Sequence, residues 1–211
     1  QTEVIASALL RDTCPILAQT ALQISDPQVR NLGTVGGNLA NGDPGNDLPA
    51  VMQALDATYL VQGRGGAREV AARDFYEGAY FTRLGEGEIL TAVRIPMPAS
   101  GHGWAYEKQK RKIGDYATAA AAVILTMAGG RCDSAAIALT NVADTPLYAE
   151  AASQALSGSP ADAEAIATAA REAEVIASPA SDGRGPAEFR KKLAGVMVRR
   201  AVERALSRAR Q

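Results

Sequence analysis

The chain contains little cysteine and histidine: Cys14, Cys132 and the single His102 among 211 residues. An iron–sulfur cluster or a structural zinc site takes several Cys or His ligands from one chain, and this sequence cannot supply them. The two cysteines are far apart and form no Cys-x-x-Cys pair, so we expect both to be buried free thiols. A cluster that works with this chain must therefore lie on another polypeptide.

An excess of charge and a long hydrophobic run are also lacking. Lysine and arginine number 22 against 23 aspartates and glutamates, so no general basic field exists to neutralise phosphates, and we expect no nucleic-acid partner. The longest run of small apolar residues, 117–128, is much shorter than the ~20 residues of a membrane-spanning helix and predicts a buried strand. No basic segment followed by a hydrophobic one begins near Gln1, so a cytoplasmic location is expected.

Glycine, asparagine and aspartate are concentrated in one stretch, residues 31–47. Glycine permits positive φ and close approach to the backbone, and successive exposed N–H groups form a concavity suited to phosphate oxygens. The stretch therefore predicts a nucleotide cradle, with an ordinary surface turn as the alternative. It is neither a Walker loop nor a Gly-x-Gly-x-x-Gly fingerprint, and the helical spacing of apolar residues upstream argues against a Rossmann site.

The remaining pattern predicts an α+β chain with a boundary near the Pro- and Gly-rich residues 96–101. The expected helices cover residues 4–23, 48–55, 150–156 and 162–176, and a last helix begins at Pro186 and runs toward Arg208. The expected strands cover residues 58–62, 67–71 and 90–95 and, as an antiparallel meander, 104–110, 117–127 and 131–141. We place the two domains at residues 1–99 and 100–211.

Two basic regions receive structural interpretations. One face of the last helix is expected to pack into a core: Phe189, Leu193, Val196, Met197, Arg200 and Ala201. Its basic residues, Arg190 among them, are expected elsewhere and complement the helix dipole near the C-terminus. The run from Lys110 to Lys112 predicts a solvated face, with an acidic partner surface as the alternative.

Several segments resemble one known family. Thr34-Val35-Gly36-Gly37-Asn38, followed by Asp43-Pro44 and Asp47, is similar to the second flavin loop of molybdenum-hydroxylase FAD subunits. Other segments resemble one branch of it, the medium, flavin-binding subunits of aerobic carbon monoxide dehydrogenases: residues 78–82, 101–103, 106–108, 110–122 and 180–190. The resemblance implies a vanillyl-alcohol-oxidase/PCMH-type FAD-binding domain, followed by a small antiparallel sheet packed with helices, the C-terminal domain of carbon monoxide dehydrogenase flavoproteins.

The chain departs from the family pattern at its beginning. Members carry an earlier glycine-rich loop of the Ala-Gly-Gly-His-Ser kind, and nothing in residues 1–31 matches it. Gln1 is also not an initiator methionine. We therefore expect the chain to begin partway into a longer polypeptide, without the subdomain whose loop would hold the other side of the diphosphate.

The resemblance implies a set of FAD contacts in the glycine stretch. Val35, Gly36 and Gly37 belong to the loop that lets the backbone approach the diphosphate. The Thr34 hydroxyl and the Asn38 amide would donate hydrogen bonds to it.

Four further contacts are implied outside that loop. Asp47 would accept hydrogen bonds from cofactor hydroxyls, with a helix N-cap as the alternative. Leu90 would line the pocket, or serve only as a strand residue. Lys108 would reach the flavin, where a cation favours the negative reduced ring, or else be a solvated lysine. Tyr116 would stack on the isoalloxazine ring, with a sheet-edge anchor as the alternative.

The implied function is electron transfer by a flavoprotein subunit of an oxidoreductase, a carbon monoxide dehydrogenase with quinone as acceptor. A large partner subunit would hold molybdenum, copper and pterin and oxidise CO, and a small partner subunit would hold 2Fe-2S clusters, so this chain has no catalytic or metal-binding residue. The implied assembly is a dimer of heterotrimers, either free in the cytoplasm or at the inner face of the cytoplasmic membrane in contact with quinone. Two alternatives stay open: the FAD subunit of a xanthine-, nicotinate- or aldehyde-type hydroxylase, and a flavin-free assembly module.

Overall fold

The N-terminal part, residues 1–94, combines short helices with small antiparallel sheets. The structure, a computed structural model, describes residues 1–209. The helices of this part are α1 (Thr2–Ala6), α2 (Ala8–Thr13), α3 (Pro15–Gln23), α4 (Pro27–Leu32), α5 (Val35–Ala40) and α6 (Leu48–Ala54). Its strands are β1 (Thr58–Gly63), β2 (Gly66–Ala71), β3 (Tyr76–Gly78), β4 (Phe81–Thr82) and β5 (Ile89–Arg94), with a 3₁₀ turn at Ala72–Asp74.

Strand β1 is the centre of the larger sheet, which has the antiparallel order β2-β1-β5, while β3 and β4 pair separately. The tight turn between β1 and β2 pairs Gly63 with Gly66, and Gly66 has a φ of +113°, a conformation that glycine adopts without a Cβ clash. The predicted helix 48–55 and the predicted strands of this part are confirmed to within one residue at each end.

The C-terminal part, residues 103–209, is one antiparallel sheet covered by helices. Its strands, in the spatial order of the sheet, are β6 (Gly103–Gln109), β7 (Ala119–Ala128), β8 (Arg131–Thr140) and β9 (Leu147–Tyr148). Its helices are α7 (Glu150–Leu156), α8 (Ala163–Ile176) and α9 (Ala187–Arg208). The predicted meander and the three predicted helices are confirmed.

Strand β7 is buried on both faces and connects two hydrophobic cores. Ala119 and Ala121 belong to the core beneath α8 and α9, whereas Ala120 and Ala122 belong to the core of the N-terminal part. This division follows from the two-residue period of a strand, and the small alanine side chains let helices approach closely on both sides. The sheet of the C-terminal part is thus the shared wall against which the N-terminal part packs.

The predicted continuous helix over residues 4–23 is wrong, because three helices occupy this region. Ser7 lies between α1 and α2, and its Oγ accepts a hydrogen bond from the Leu10 N–H at 3.3 Å, which begins a new helix. Cys14 has the non-helical angles φ −146° and ψ 61°, and Pro15 then opens α3 at a position where proline is well tolerated. Apolar spacing alone does not detect such short interruptions.

The face of α9 that packs into the core agrees with the prediction only in part. Met197 and Ala201 are buried, and Leu193 and Val196 pack against the core, as expected, whereas Arg200 is exposed. The buried residues of α9 are Arg190, Ala194, Gly195, Met197, Val198, Ala201, Val202 and Ala205. Phe189, expected in the core, is 53% exposed. Close packing explains the difference, because a Cβ at Gly103 of β6 would overlap with the carbonyl oxygen of Ala205, so small residues of α9 face the sheet.

Two other expectations concern the cysteines and the membrane. Cys14 and Cys132 are both buried and free, which confirms their predicted state. Burial raises the pKa of the Cys14 thiol to about 11. Of the helices within residues 1–209, none has the length and apolar character that crossing a membrane would require.

Arg190 connects three segments of the C-terminal part from a buried position on α9. Its guanidinium donates to the carbonyl oxygens of Thr118 (3.2 Å), Ala180 (2.8 Å) and Asn141 (2.5 Å), and it lies 3.3 Å from the Asp182 carboxylate. The planar fork of arginine suits several carbonyl acceptors at once. Arg190 therefore satisfies backbone groups at the end of β8 and near the start of β7.

We expect Arg190→Met to lower the free energy of unfolding by about 3 kcal/mol or more, because the methionine keeps much of the aliphatic volume but leaves buried carbonyls without donors. Urea unfolding monitored by circular dichroism would measure the change. Arg199→Met, an exposed arginine of the same helix, is the control and should change stability by less than ~0.5 kcal/mol. Equal effects of the two substitutions would contradict this role of Arg190.

Candidate functional site

A cavity of about 250 Å³ lies where the N-terminal part meets the strand β6. It brings together four of the predicted contact residues: Asn38, Asp47, Lys108 and Tyr116. The remainder of its lining comes from the first residue, the turn before α4, α4 itself, the loop before α6 and the loop after β6: Gln1, Ile24, Ser25, Val29, Gly45, Asn46, Gly114 and Asp115. Residues distant in sequence therefore line one cavity.

Asp47 and Lys108 form a buried ion pair at the base of this cavity. Lys108 Nζ lies 2.7 Å from Asp47 Oδ2, and the two side chains are 1% and 4% exposed. Lys108 also donates to the Gln23 carbonyl oxygen at 3.3 Å. The alternative of a solvated lysine is thus wrong. Asp47 occupies the N-cap position of α6, as the alternative expected, but its carboxylate makes no capping hydrogen bond to that helix.

The second oxygen of Asp47 is held by a residue that the sequence did not single out. Tyr106 Oη donates to Asp47 Oδ1 at 2.5 Å and lies 3.2 Å from Thr140 Oγ1. Burial raises the pKa of Asp47 above its ordinary value, and the Lys108 ammonium and the Tyr106 hydroxyl oppose that shift. The carboxylate is therefore both desolvated and tightly hydrogen-bonded.

The glycine stretch forms a short helix, α5, which corrects the prediction of an open loop of successive exposed N–H groups. Thr34 is its N-cap, with Oγ1 accepting from the Gly37 N–H at 2.9 Å. A Cβ at Gly37 would also lie 2.9 Å from Thr34 Oγ1, so glycine permits a close cap. Of the glycines in this stretch only Gly42 has a positive φ, of +66°.

Val35, Gly36 and Leu90 lie together in a shallow groove between α5 and β5, separate from the cavity. A Cβ at Gly36 would meet only Leu90, at 3.9 Å, so the protein itself leaves room for a side chain there. The N–H groups of Val35 and Gly36 are in the first helical turn and have no acceptor within the helix. Such groups suit an anionic ligand that approaches from outside.

Tyr116 is at the mouth of the cavity and is 46% exposed. Its ring packs against Gly45, where a Cβ would lie 2.7 Å from the ring, and the Arg184 guanidinium is 5.9 Å from the ring centroid. Partial burial, followed by the charge of Asp43, raises the pKa of the Tyr116 hydroxyl. Tyr116 belongs to the loop between β6 and β7 rather than to a strand, so an aromatic face borders the cavity.

The residues of this site match the chemical needs of a flavin dinucleotide. Thr34 uses its hydroxyl oxygen as an acceptor and keeps its O–H to donate. Asn38 Oδ1 is buried and, within residues 1–209, has no hydrogen-bond partner, so this acceptor suits a ligand hydroxyl rather than a phosphate oxygen. A backbone open at Gly36, a carboxylate, a cation and an aromatic wall complete the set. Across the same residues, no group of three or more His, Cys, Asp or Glu side chains is placed to hold a metal ion.

Sequence reasoning missed Tyr106 and Thr140 as residues of the site. Tyr106 is in the resembling segment 106–108, two positions before Lys108 on the same strand, so both side chains point to the same face of the sheet. That spacing is the signal that could have identified it. Thr140, from β8, offers no comparable signal, because it reaches the site only through sheet pairing.

Comparison with known proteins identifies the family. Residues 1–98 match the FAD binding domain in molybdopterin dehydrogenase, and residues 104–205 match the CO dehydrogenase flavoprotein C-terminal domain. The chain is 62% identical to the carbon monoxide dehydrogenase medium chain of Afipia carboxidovorans over 99% of this chain and 73% of the relative, and 44% identical to that of Hydrogenophaga pseudoflava over 99% and 72%. A chain of reconstituted CO dehydrogenase from Oligotropha carboxidovorans superposes with a TM-score of 0.98 at 62% identity, over 99% of this chain and 73% of that one. The resemblance and the expected fold class are confirmed.

We expect Lys108→Met to lower the free energy of unfolding by about 3 kcal/mol near neutral pH, because Asp47 is left buried without its cation. Burial raises the pKa of Asp47, so the folded protein binds a proton at this group more tightly than the unfolded chain does. The resulting contribution to the free energy of unfolding is fully present below the ordinary pKa of an aspartate and is lost as the pH rises through the raised pKa. Loss of Lys108 raises this pKa further. The deficit measured by urea unfolding should therefore grow as the pH rises from about 5 to about 8.

The control for this prediction is Lys192→Met, which removes a surface ion pair with Glu174 in which the lysine is 76% exposed. It should cost less than ~1 kcal/mol, and the cost should vary little between those pH values. A deficit of Lys108→Met that does not depend on pH would contradict the assignment of its effect to Asp47.

Proposed function

The chain belongs to the family of carbon monoxide dehydrogenase medium chains, whose N-terminal region is the FAD-binding domain of molybdopterin dehydrogenases, and from this we propose that it binds FAD and serves as an electron-transfer subunit. The observation that carries the proposal is the convergence of Asn38, Asp47, Lys108 and Tyr116 on one cavity beside the groove at Gly36. The domains are assigned as residues 1–99 and 100–211, of which 210 and 211 lie outside the described residues.

The proposed contacts of the glycine stretch bind the diphosphate end of FAD. The open backbone at Val35, Gly36 and Gly37 borders the diphosphate, and the Thr34 hydroxyl donates to it. Asn38 presents its amide to the cofactor. These groups bind the charged end of the molecule, where donors rather than acceptors are needed.

The remaining contacts bind the uncharged parts of the cofactor. Asp47 accepts hydrogen bonds from hydroxyl groups, and Leu90 supplies an apolar wall. The positive charge of Lys108 favours the accumulation of negative charge next to it, and Tyr116 covers one face of the ring. When bound, FAD supplies the ability to accept electrons singly and to deliver them in pairs.

The proposed pathway begins outside this chain. The large subunit would hold molybdenum and copper with a pterin for CO oxidation, the small subunit would hold 2Fe-2S clusters as the electron source for FAD, and a quinone would be the final acceptor. The assembly is a dimer of heterotrimers in the cytoplasm, either free or at the inner face of the membrane. Support comes from the cysteine and histidine content, which leaves this chain without ligands for clusters of its own.

Titration of the purified chain with FAD, followed by flavin fluorescence, tests the proposal directly. Saturable binding with a single site is the expected result. Absence of binding would favour the flavin-free assembly module. Reduction of the assembled flavin by xanthine, nicotinate or an aldehyde, but not by CO, would favour the related hydroxylases.

We expect Gly36→Ala to weaken FAD binding at least tenfold while leaving the fold intact. A methyl group at this position meets only Leu90 at 3.9 Å, and alanine is favoured over glycine in a helix, so the melting temperature should be unchanged or slightly higher. The same methyl group would occupy the surface that the diphosphate approaches. Gly65→Ala, in a turn where a Cβ has no atom within 4 Å, is the control and should bind FAD as the wild type does. Full affinity in Gly36→Ala would remove Gly36 from the site.

We expect Tyr116→Leu to change the absorption and raise the fluorescence of bound FAD, because leucine keeps apolar contact but cannot stack. Loss of an aromatic contact of roughly 0.5–1.5 kcal/mol corresponds to about a two- to tenfold weaker affinity. In the assembled enzyme, reoxidation of the flavin by the acceptor should change, whereas reduction of the partner subunits by substrate should not. An unaltered flavin spectrum together with unaltered reoxidation would return Tyr116 to a structural role.

A further inference from the structure

We infer that Tyr106 is a positioning residue of the flavin site: its hydroxyl fixes the orientation of the Asp47 carboxylate so that free lone pairs of that carboxylate face the cavity. The inference rests on the proposed function, because it concerns how the cavity receives the hydroxyl groups of FAD. Tyr106 is 1% exposed on β6 and itself does not line the cavity, so it acts through Asp47.

The direction of each hydrogen bond follows from the number of protons. A phenol has one proton, and the 2.5 Å contact assigns it to Asp47 Oδ1. Burial, followed by the charge of Asp47, raises the pKa of Tyr106 well above its ordinary value, so the phenol retains that proton. Thr140 Oγ1, 3.2 Å from Tyr106 Oη, must then donate to the phenol oxygen. The order of donation is Thr140 to Tyr106 to Asp47.

The remaining capacity of the ion pair is available to a ligand. A carboxylate has about four lone-pair sites, and Tyr106 and Lys108 each use one, on different oxygens. Lys108 has three protons, of which one goes to Asp47 and one to the Gln23 carbonyl oxygen. Without the phenol, the carboxylate could rotate to bind Lys108 through both oxygens. The bond from Tyr106 prevents that rotation and keeps acceptor sites directed at the cavity.

Few charged groups lie near Asp47. The titratable and charged groups near it are Lys108 and Tyr106 on β6, Lys110 just beyond that strand, and Tyr116 in the following loop. The amino-terminal ammonium of Gln1 and the carboxylate of Asp115 belong to residues that line the same cavity. Thr140 of β8 and the Gln23 carbonyl of α3 add uncharged contacts through Tyr106 and Lys108. Removal of the phenol donor takes away one of the interactions that oppose the raised pKa of Asp47, while those with Lys108 and Lys110 remain, so we expect this pKa to rise further.

The test compares Tyr106→Phe with Tyr59→Phe in the purified chain titrated with FAD over a range of pH. Tyr59 is a matched control, because it is fully buried and its hydroxyl has one partner, the Tyr76 hydroxyl at 3.1 Å, away from the cavity. We expect Tyr106→Phe to weaken FAD binding about tenfold and to move the acid limb of the affinity–pH profile to higher pH. Tyr59→Phe should leave both quantities as in the wild type, although it loses some stability.

Thr140→Val provides a second, conservative variant should Tyr106→Phe fold poorly. It removes only the hydroxyl that donates to Tyr106, and we expect a smaller shift of the acid limb in the same direction. An acid limb that stays in place in the folded variants, or that moves equally in Tyr59→Phe, would overturn the inference while leaving the proposed function standing. A wild-type chain that binds no FAD at any pH would refute the proposed function itself, and the positioning role with it.

Discussion

A carboxylate and an ammonium group, buried 2.7 Å apart at Asp47 and Lys108, hold together the two parts of the molecule and define the base of its cavity. Burying two charges is unfavourable unless their remaining hydrogen-bonding capacity is used, and one-sided loss of such a pair is far more costly than loss of a surface pair. Here the capacity is used by Tyr106 from β6 and by the carbonyl of Gln23 at the end of α3. The pair therefore requires α3, α6 and β6 to be in place together.

Strand β7 lies between the two hydrophobic cores of the molecule and allows α3, α6 and β6 to come together. Its alanines present alternate faces to two cores, so α9 packs on one side and the N-terminal part on the other without bulky side chains between them. A small residue is also required at Gly103, because the backbone of α9 lies too close to leave room for a Cβ there. Close packing on both faces of β7 makes the shared wall rigid, because densely packed interiors have low compressibility.

The sequence predicts strongly periodic elements well and local interruptions poorly. The β1–β2 hairpin and the β6–β8 meander have alternation and glycine turns, and both are confirmed. The helix at residues 4–23 fails because apolar spacing continues through Ser7 and Cys14, where the backbone does not. The predicted face of α9 is only partly correct, because close approach to the sheet favours small residues such as Ala205 at the contact with Gly103.

Residue chemistry and the family resemblance predicted Asn38, Asp47, Lys108 and Tyr116 as contact residues, and all four line one cavity in the structure. Neither could show that Asp47 and Lys108 bind each other, because that contact depends on a tertiary approach across 61 positions of sequence. The contact between Thr140 and Tyr106 could not be predicted from the sequence for the same reason.

Arg190 has a consequence for the order of folding. It belongs to the last helix, yet two of the carbonyl groups it satisfies lie 72 and 49 positions earlier in the chain. Until α9 has left the ribosome and docked, those groups and the outer face of β7 remain exposed to water. Contacts between residues so distant in sequence form slowly, because the intervening chain loses conformational entropy before the contacts stabilise the fold. The C-terminal part should thus complete its folding only after α9 has been synthesised, and until then the alanine-lined face of its sheet is exposed to other proteins that bind unfolded chains.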